Sequence, residues 1–319
     1  MSKGVFLDTY PLDLGDVDMQ ALQSTLDEVE LFERTLPEQV DERIAGADVV
    51  VVNKVVLSGE TLRAAKGLKL VCLAATGTNN VDLEAARELG ITVCNCQAYA
   101  TASVVQHTVA LLLALATRII DYDEAVRARA WQQANAFCVL DFPIRELDGK
   151  TLGIVGYGEL GRGVARLAEA LGMQVLVARR PGSSDERGWR RPLDEMLPRL
   201  DVLSLHCPLT PQTRGLIGAR ELERMRASAF LINTARGGIV DEEALVTALR
   251  EGQIAGAAFD VLSEEPPKAG NPLLQPDIPN LILTPHSAWG SREARQRAAG
   301  QVAENVRRFL EGDPVRVVS

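Results

Sequence analysis

The sequence predicts an α/β protein made of two parallel-sheet domains. Three observations carry that expectation. Short apolar runs alternate with amphipathic segments along the whole chain, the pattern of strands buried between helices. A glycine loop, Gly156-Tyr157-Gly158-Glu159-Leu160-Gly161, lies between an apolar run and an amphipathic one. The length, 319 residues, favours two domains over one.

Taken in order, strands are expected at residues 5–7, 49–52, 70–74 and 91–94. A helix over 82–89 ends at Gly90, since a glycine just past a helix permits the left-handed turn that closes it. A long helical stretch, residues 103–129, reads as the connection to a second block that opens near Thr151. There a strand at 152–155 runs into the glycine loop and a helix at 160–171. Leu160, Val164, Leu167 and Leu171 fall on one face of that helix. Later strands are expected at 174–178, 202–206, 230–233, 255–260 and 281–284. A second connection is expected at 285–289, and a closing helix at 292–310 returns to the first block. Ala86-Arg87-Glu88-Leu89-Gly90-Ile91 and Glu169-Ala170-Leu171-Gly172-Met173 look like equivalent helix ends, which hints at two units of related design.

Composition narrows the function classes. Hydrophobic residues at 46% and charged ones at 24% are the balance of a soluble globular protein with ordinary cores. A net charge of -9 argues against a nucleic-acid or anionic-membrane partner, and 4% aromatics weakens base stacking. The most apolar segment, residues 109–116, is too short to span a bilayer. No signal peptide or basic organelle leader is expected at the start of the chain. Cys72, Cys94, Cys96, Cys138 and Cys207 show no zinc-like spacing and read as reduced core thiols, so a cytoplasmic location is expected. With only His107, His206 and His286 as histidines, no metal site is expected.

A G-x-G-x-x-G between strand and helix, inside one βαβ unit, points to a dinucleotide. Gly156 allows the tight turn, Gly158 lets pyrophosphate approach the backbone, and Gly161 lets the helix lie close to the strand. The helix N-terminus then faces the anion. The next strand ends in Ala178-Arg179-Arg180-Pro181. No carboxylate is present there to accept from a ribose 2′-OH, whereas a guanidinium matches a 2′-phosphate. Either NADP(H) is preferred, with NAD(H) possible, or Arg179 and Arg180 are solvated loop charges.

Downstream, His286 follows a strand end and a proline, and an imidazole can donate a proton to a carbonyl oxygen near neutral pH. Glu265 lies between Glu264 and Pro266, and a carboxylate bonded to an imidazole favours its charged form. Arg236 precedes Gly237-Gly238, and its fork can hold a carboxylate and polarise the carbonyl beside it. Alone, Arg236 could equally be a phosphate contact, Glu265 a solvated acid, and His286 a core or surface histidine. All three lie just past strand ends in the block that carries the glycine loop.

The chain resembles the D-isomer-specific 2-hydroxyacid dehydrogenase family, and within it the glycerate dehydrogenase, hydroxypyruvate reductase and glyoxylate reductase group. The resemblance spans nearly the whole length. It is carried by residues 73–82 (Leu-Ala-Ala-Thr-Gly-Thr-Asn-Asn-Val-Asp), 99–108 (Tyr-Ala-Thr-Ala-Ser-Val-Val-Gln-His-Thr), the glycine loop, 233–242 and 284–289. It implies two Rossmann-like or flavodoxin-like domains with the active site in the cleft between them. One domain, residues 1–100 plus 288–319, would be the discontinuous substrate-binding domain. The other, 101–287, would bind the dinucleotide.

The implied catalytic trio is Arg236, Glu265 and His286, with Thr76 and Gly77 holding the substrate carboxylate beside Arg236 and His286. Implied cofactor contacts are Thr101, Gly156, Gly158, Glu159, Leu160, Gly161, Arg179, Arg180, His206, Cys207, Pro208, Thr213, Thr234, Ala235, Asp260, His286 and Ala288. The resemblance also implies a homodimer. The implied reaction is reduction of glyoxylate or hydroxypyruvate by NAD(P)H to the D-2-hydroxy acid, with His286 as proton donor. The alternatives are a reductase of bulkier 2-oxo acids, like D-lactate dehydrogenases, or a non-catalytic dinucleotide-sensing corepressor. Pro285 stands where the formate dehydrogenase branch carries a glutamine, and with the sequence ending at Ser319 the regulatory domain of long phosphoglycerate dehydrogenases is not expected.

Overall fold

A computed structural model of the chain describes residues 2–180 and 188–319. It divides into two compact units, Met1–Thr101 with Trp289–Ser319, and Ala102–Ala288. Both are α/β, each with an all-parallel sheet.

In the first unit the strands are β1 (Lys3–Phe6), β2 (Glu28–Leu31), β3 (Val49–Val52), β4 (Leu70–Leu73) and β5 (Thr92–Cys94), in the order β2-β1-β3-β4-β5. Every residue of β3 and β4 is buried. Strands covered on both faces read as unbroken apolar runs, which is why these two stood out in the sequence. β2 did not, because Glu28 and Glu30 interrupt it. It is an edge strand, where charge is tolerated and deters stray pairing. The helix Arg292–Leu310 covers one face. It lays Ala294, Ala298, Val302 and Val306 at four-residue steps against Phe6, Val51 and Cys72.

The second unit has β6 (Thr151–Val155), β7 (Gln174–Ala178), β8 (Arg190–Arg191), β9 (Val202–Leu205), β10 (Phe230–Asn233), β11 (Gly256–Phe259) and β12 (Leu281–Leu283). Their order is β12-β11-β10-β9-β6-β7-β8. The chain leaves β6 toward β7 and β8, then returns to the other side of β6 as β9. The order therefore reverses between β6 and β9, and a crevice opens at their carboxyl ends, where ligands of such sheets bind.

Two expectations need correction. The helix expected over 103–129 is broken into Thr101–Thr117 and Ile119–Arg127. Arg118 between them takes a left-handed φ of 56°. Its guanidinium is held by Asp121 and by the distant Asn280, and no local pattern reports that second partner. On the helix Glu159–Ala170, Val164 is buried and Leu160 and Leu171 pack partly buried against the same core, but Leu167 is 42% exposed, and the fully buried positions are Gly161, Gly163, Val164, Ala165 and Ala168. Small residues win because the helix lies close to its neighbours: a Cβ on Gly163 would stand 2.5 Å from Val105 Cγ2.

The five cysteines are free; four are buried, but Cys138 is half-buried and is not a core thiol. Among the described residues, no three His, Cys, Asp or Glu side chains cluster as a metal site. Among them, too, no single helix is long and apolar enough to cross a membrane.

Candidate active site

The glycine loop follows β6, and His206, Cys207 and Pro208 follow β9, so both segments border the crevice. Gly156 has φ +93°, and a Cβ on it would meet the His206 carbonyl carbon at 2.5 Å. Only glycine satisfies both the conformation and the contact. A Cβ on Gly161 would lie 2.2 Å from the Gly156 oxygen. That spacing seats the helix Glu159–Ala170 against the turn, with Gly158 as its N-cap and Glu159 and Leu160 opening it. Gly158 faces open space, leaving room for a pyrophosphate against the backbone. These residues fit a dinucleotide.

The turn after β9 is closed by Thr213, whose Oγ1 donates to the Pro208 carbonyl at 2.6 Å and accepts from Thr210 N at 2.7 Å. Thr213 and Cys207 are buried, so whatever they do for a ligand they do through the backbone of this turn. At the end of β10, Thr234 Oγ1 is 2.9 Å from Thr108 Oγ1, and Ala235 N donates to Asn233 Oδ1. Thr101 belongs to the first unit and donates to the Ala98 carbonyl at 3.2 Å.

Past β7, Arg179 N donates to the Arg191 carbonyl at 2.8 Å. The short strand β8 sets Arg190 opposite Val177 and Arg191 opposite Ala178, so Arg191 adjoins Arg179. The sequence reading missed that pair of arginines, because two charged residues do not look like a strand. Trp189 lies edge-on to Tyr157 of the glycine loop, 5.5 Å between ring centroids. Pro181, named with the arginines, lies outside the described residues.

His206 Nδ1 is buried with no hydrogen-bond partner among the described residues, and Nε2 is 2.9 Å from Ser204 Oγ. Burial pushes its pKa down from 6.5 to about 4. The unfolded chain therefore binds the extra proton first as pH falls. The contribution of neutral His206 is complete above pH 6.5 and is lost as pH drops toward 4. The ceiling on that loss is about 3 kcal/mol. Urea unfolding of the ligand-free protein at neutral and mildly acid pH should show His206→Gln losing less stability on acidification than the parent. Equal losses would contradict this.

A histidine–carboxylate pair stands past β11 and β12. His286 Nδ1 lies 2.5 Å from Glu265 Oε2, and Glu265 Oε1 accepts from Leu262 N at 2.8 Å. The carboxylate is thus fixed by backbone on one oxygen and holds the imidazole with the other, leaving Nε2 for a reacting group. Asp260, at the end of β11, is almost fully buried. It accepts from Thr284 Oγ1 at 2.5 Å, Ser287 N at 2.9 Å and Ala288 N at 2.9 Å, so it grips the turn that carries His286.

Arg236 is half-buried at the turn after β10, with Nη1 donating to the Ala235 carbonyl at 2.7 Å. A Cβ on the following Gly237 would fall 1.8 Å from the Leu262 oxygen, so this turn packs directly on the loop leading to Glu265. Glu242 ties the same loop down, accepting from Ser263 N at 2.7 Å, Ser263 Oγ at 2.6 Å and Asn271 Nδ2 at 2.7 Å. In sequence Glu242 is one of two glutamates opening a helix, and nothing local marks it as the one that turns inward.

In the first unit, Thr76 and Gly77 lie in the loop after β4, anchored by Asn95 Nδ2 donating to the Thr76 carbonyl at 2.8 Å. The neighbouring loop after β3 is held by Asp8, which accepts from Asn53 N, Lys54 N and Val55 N at 2.6 to 3.0 Å. Burial nonetheless pushes the Asp8 carboxyl up from its ordinary value.

The second unit thus combines a dinucleotide cradle with a histidine–carboxylate pair and an arginine one turn away. Residues 109–288 match the family model described as D-isomer specific 2-hydroxyacid dehydrogenase, NAD binding domain. Over 312 residues the chain is 46% identical to a glycerate dehydrogenase of Methylorubrum extorquens, covering 95% of this chain and 97% of that one. A solved protein of Thermus thermophilus superposes with a TM-score of 0.87 at 36% identity, covering 99% and 100% of the two chains. An NADPH-dependent glyoxylate/hydroxypyruvate reductase of Sinorhizobium meliloti, solved with NADP and malonate, gives 0.82 at 27% identity, covering 100% and 97%. The chain belongs to the D-isomer specific 2-hydroxyacid dehydrogenases. Its cofactor is a nicotinamide dinucleotide.

Proposed function

We propose that the chain reduces a small 2-oxo acid, glyoxylate or hydroxypyruvate, to the D-2-hydroxy acid. The observation that carries this reading is the 2.5 Å His286–Glu265 pair beside a dinucleotide cradle. The relatives named glycerate dehydrogenase and glyoxylate/hydroxypyruvate reductase support the substrate class. A bound reduced nicotinamide supplies the hydride to the carbonyl carbon. Arg236 holds the substrate carboxylate and so fixes the angle of attack. His286 gives its Nε2 proton to the carbonyl oxygen as negative charge gathers there. Glu265 holds Nδ1 and keeps the ring oriented. The backbone after β9 and β10, with Asp260 and Ala288, lines the cofactor. Steady-state rates for a panel of 2-oxo acids against both cofactors test this. Turnover should be fastest with the two small acids, and a preference for bulky side chains would reassign the substrate.

NADPH is the preferred cofactor in this reading. Its support is the absence of a carboxylate at Arg179 and Arg180, together with the neighbouring Arg190 and Arg191 on β8. Arg180→Ala should raise KM for NADPH by about tenfold, the loss of one charge-assisted bond, and leave KM for NADH nearly unchanged. Equal changes for the two cofactors would contradict it.

The chain also forms a homodimer in this reading. Support comes from apolar side chains exposed along residues 118–144, among them Trp131, Leu140 and Phe137, the last 91% exposed. Sedimentation should give a dimer for the parent and a monomer for Phe137→Asp combined with Leu140→Asp. A monomeric parent would remove the proposal.

A further inference from the structure

His107, on the helix Thr101–Thr117, places Nε2 3.0 Å from Thr284 Oγ1. The same hydroxyl lies 2.5 Å from Asp260 Oδ1. A threonine hydroxyl has one proton to give. A bond to a carboxylate is the stronger of the two on offer, and Asp260 already accepts from Ser287 N and Ala288 N. Thr284 therefore donates to Asp260 and accepts from His107, which assigns a proton to His107 Nε2. The result is a directed chain, His107 to Thr284 to Asp260, closing on the turn around His286. Within that turn His286 N donates to the Thr284 carbonyl at 3.0 Å, and His286 has φ +53°, a conformation few side-chain-bearing residues adopt. The turn is thus gripped before His286 through Thr284 and after it through Ser287 and Ala288.

We propose that His107 is a positioning residue for His286, acting by donating Nε2–H to Thr284 and so fixing the Thr284 side chain. This rests on reading His286 as the proton donor. Without the imidazole, the Thr284 hydroxyl keeps its bond to Asp260 but loses the second contact that fixes the Thr284 side chain from the side of the helix Thr101–Thr117. The 284–288 turn then loosens by a fraction of an ångström at the reacting imidazole, a displacement to which proton transfer is steeply sensitive.

The test pairs kinetics with a direct view of the ring. His107→Leu should lower kcat by about tenfold or more, with KM for NADPH changed by less than about threefold. His107→Gln carries an amide N–H close to where Nε2–H stood and should recover most of that loss. Thr284→Val should resemble His107→Leu, and the double variant should be no worse than either, as for two links of one chain. Nitrogen-15 NMR of the labelled protein should find His107 protonated at Nε2. A proton on Nδ1 alone, a glutamine variant as poor as the leucine one, or additive losses would overturn the proposal. The ring tautomer is read whether or not the protein turns over a 2-oxo acid. A protein inactive on every such acid therefore rejects the proposed reaction without deciding the hydrogen-bond chain.

Discussion

Replacing His286 by glutamine should lower kcat for hydroxypyruvate by about 10²- to 10⁴-fold, the usual weight of a positioned general acid. Glutamine keeps the size and one polar end but cannot deliver a proton at neutral pH. The Kd for NADPH, read by fluorescence titration, should change little, because the cradle is built from the Gly156–Gly161 loop and the turn after β9. Glu265→Gln should fall between the parent and the histidine variant. It retains a hydrogen-bonding partner for Nδ1, yet replaces a charge-assisted bond by a weaker neutral one. Unchanged turnover in His286→Gln would reject the donor role outright.

The second large effect is expected at Arg236. Arg236→Gln should reduce kcat/KM for the 2-oxo acid by about 10²- to 10³-fold, the loss of a paired charged contact that also polarises the carbonyl. Arg236→Lys should recover only part of this, since an ammonium keeps the charge but not the planar fork. The substitution should leave NADPH binding close to the parent's. Arg236 donates to its own neighbour's carbonyl and sits in a turn fixed by Asn233 Nδ2 on the Arg236 carbonyl, so the backbone does not depend on its head group. If NADPH affinity fell as far as substrate affinity, Arg236 would be a phosphate contact instead.

Much of this site was legible because its parts sit where local rules operate. Val49–Val52 and Phe230–Asn233 are buried on both faces and announce themselves as apolar runs. The glycine loop is readable because each of Gly156 and Gly161 answers a local steric demand. His286, Glu265 and Arg236 each follow a strand end and stand beside a turn residue, a position the sequence marks. What stayed hidden depends on partners far away. β2 and β8 are strands only because a sheet edge was there to extend, and their glutamates and arginines argue locally against pairing. The break at Arg118 needs Asn280, and the exposure of Leu167 goes with a close approach of the helix Glu159–Ala170 through Gly163 and its small neighbours. Glu242 and His107 look like surface charge and helix filler until Ser263, Asn271 and Thr284 are brought to them.

His286, held by Glu265, is expected to protonate a carbonyl oxygen as a bound reduced nicotinamide supplies the hydride. The most direct measurement mixes excess protein preloaded with NADPH against hydroxypyruvate, for the parent and for His286→Gln, following cofactor absorbance through one turnover and resolving the product's handedness. The expected result is rapid loss of NADPH with D-glycerate as product in the parent, and the same product formed at least about a hundredfold more slowly in the variant. Equal single-turnover rates, or L-glycerate as the product, would contradict it.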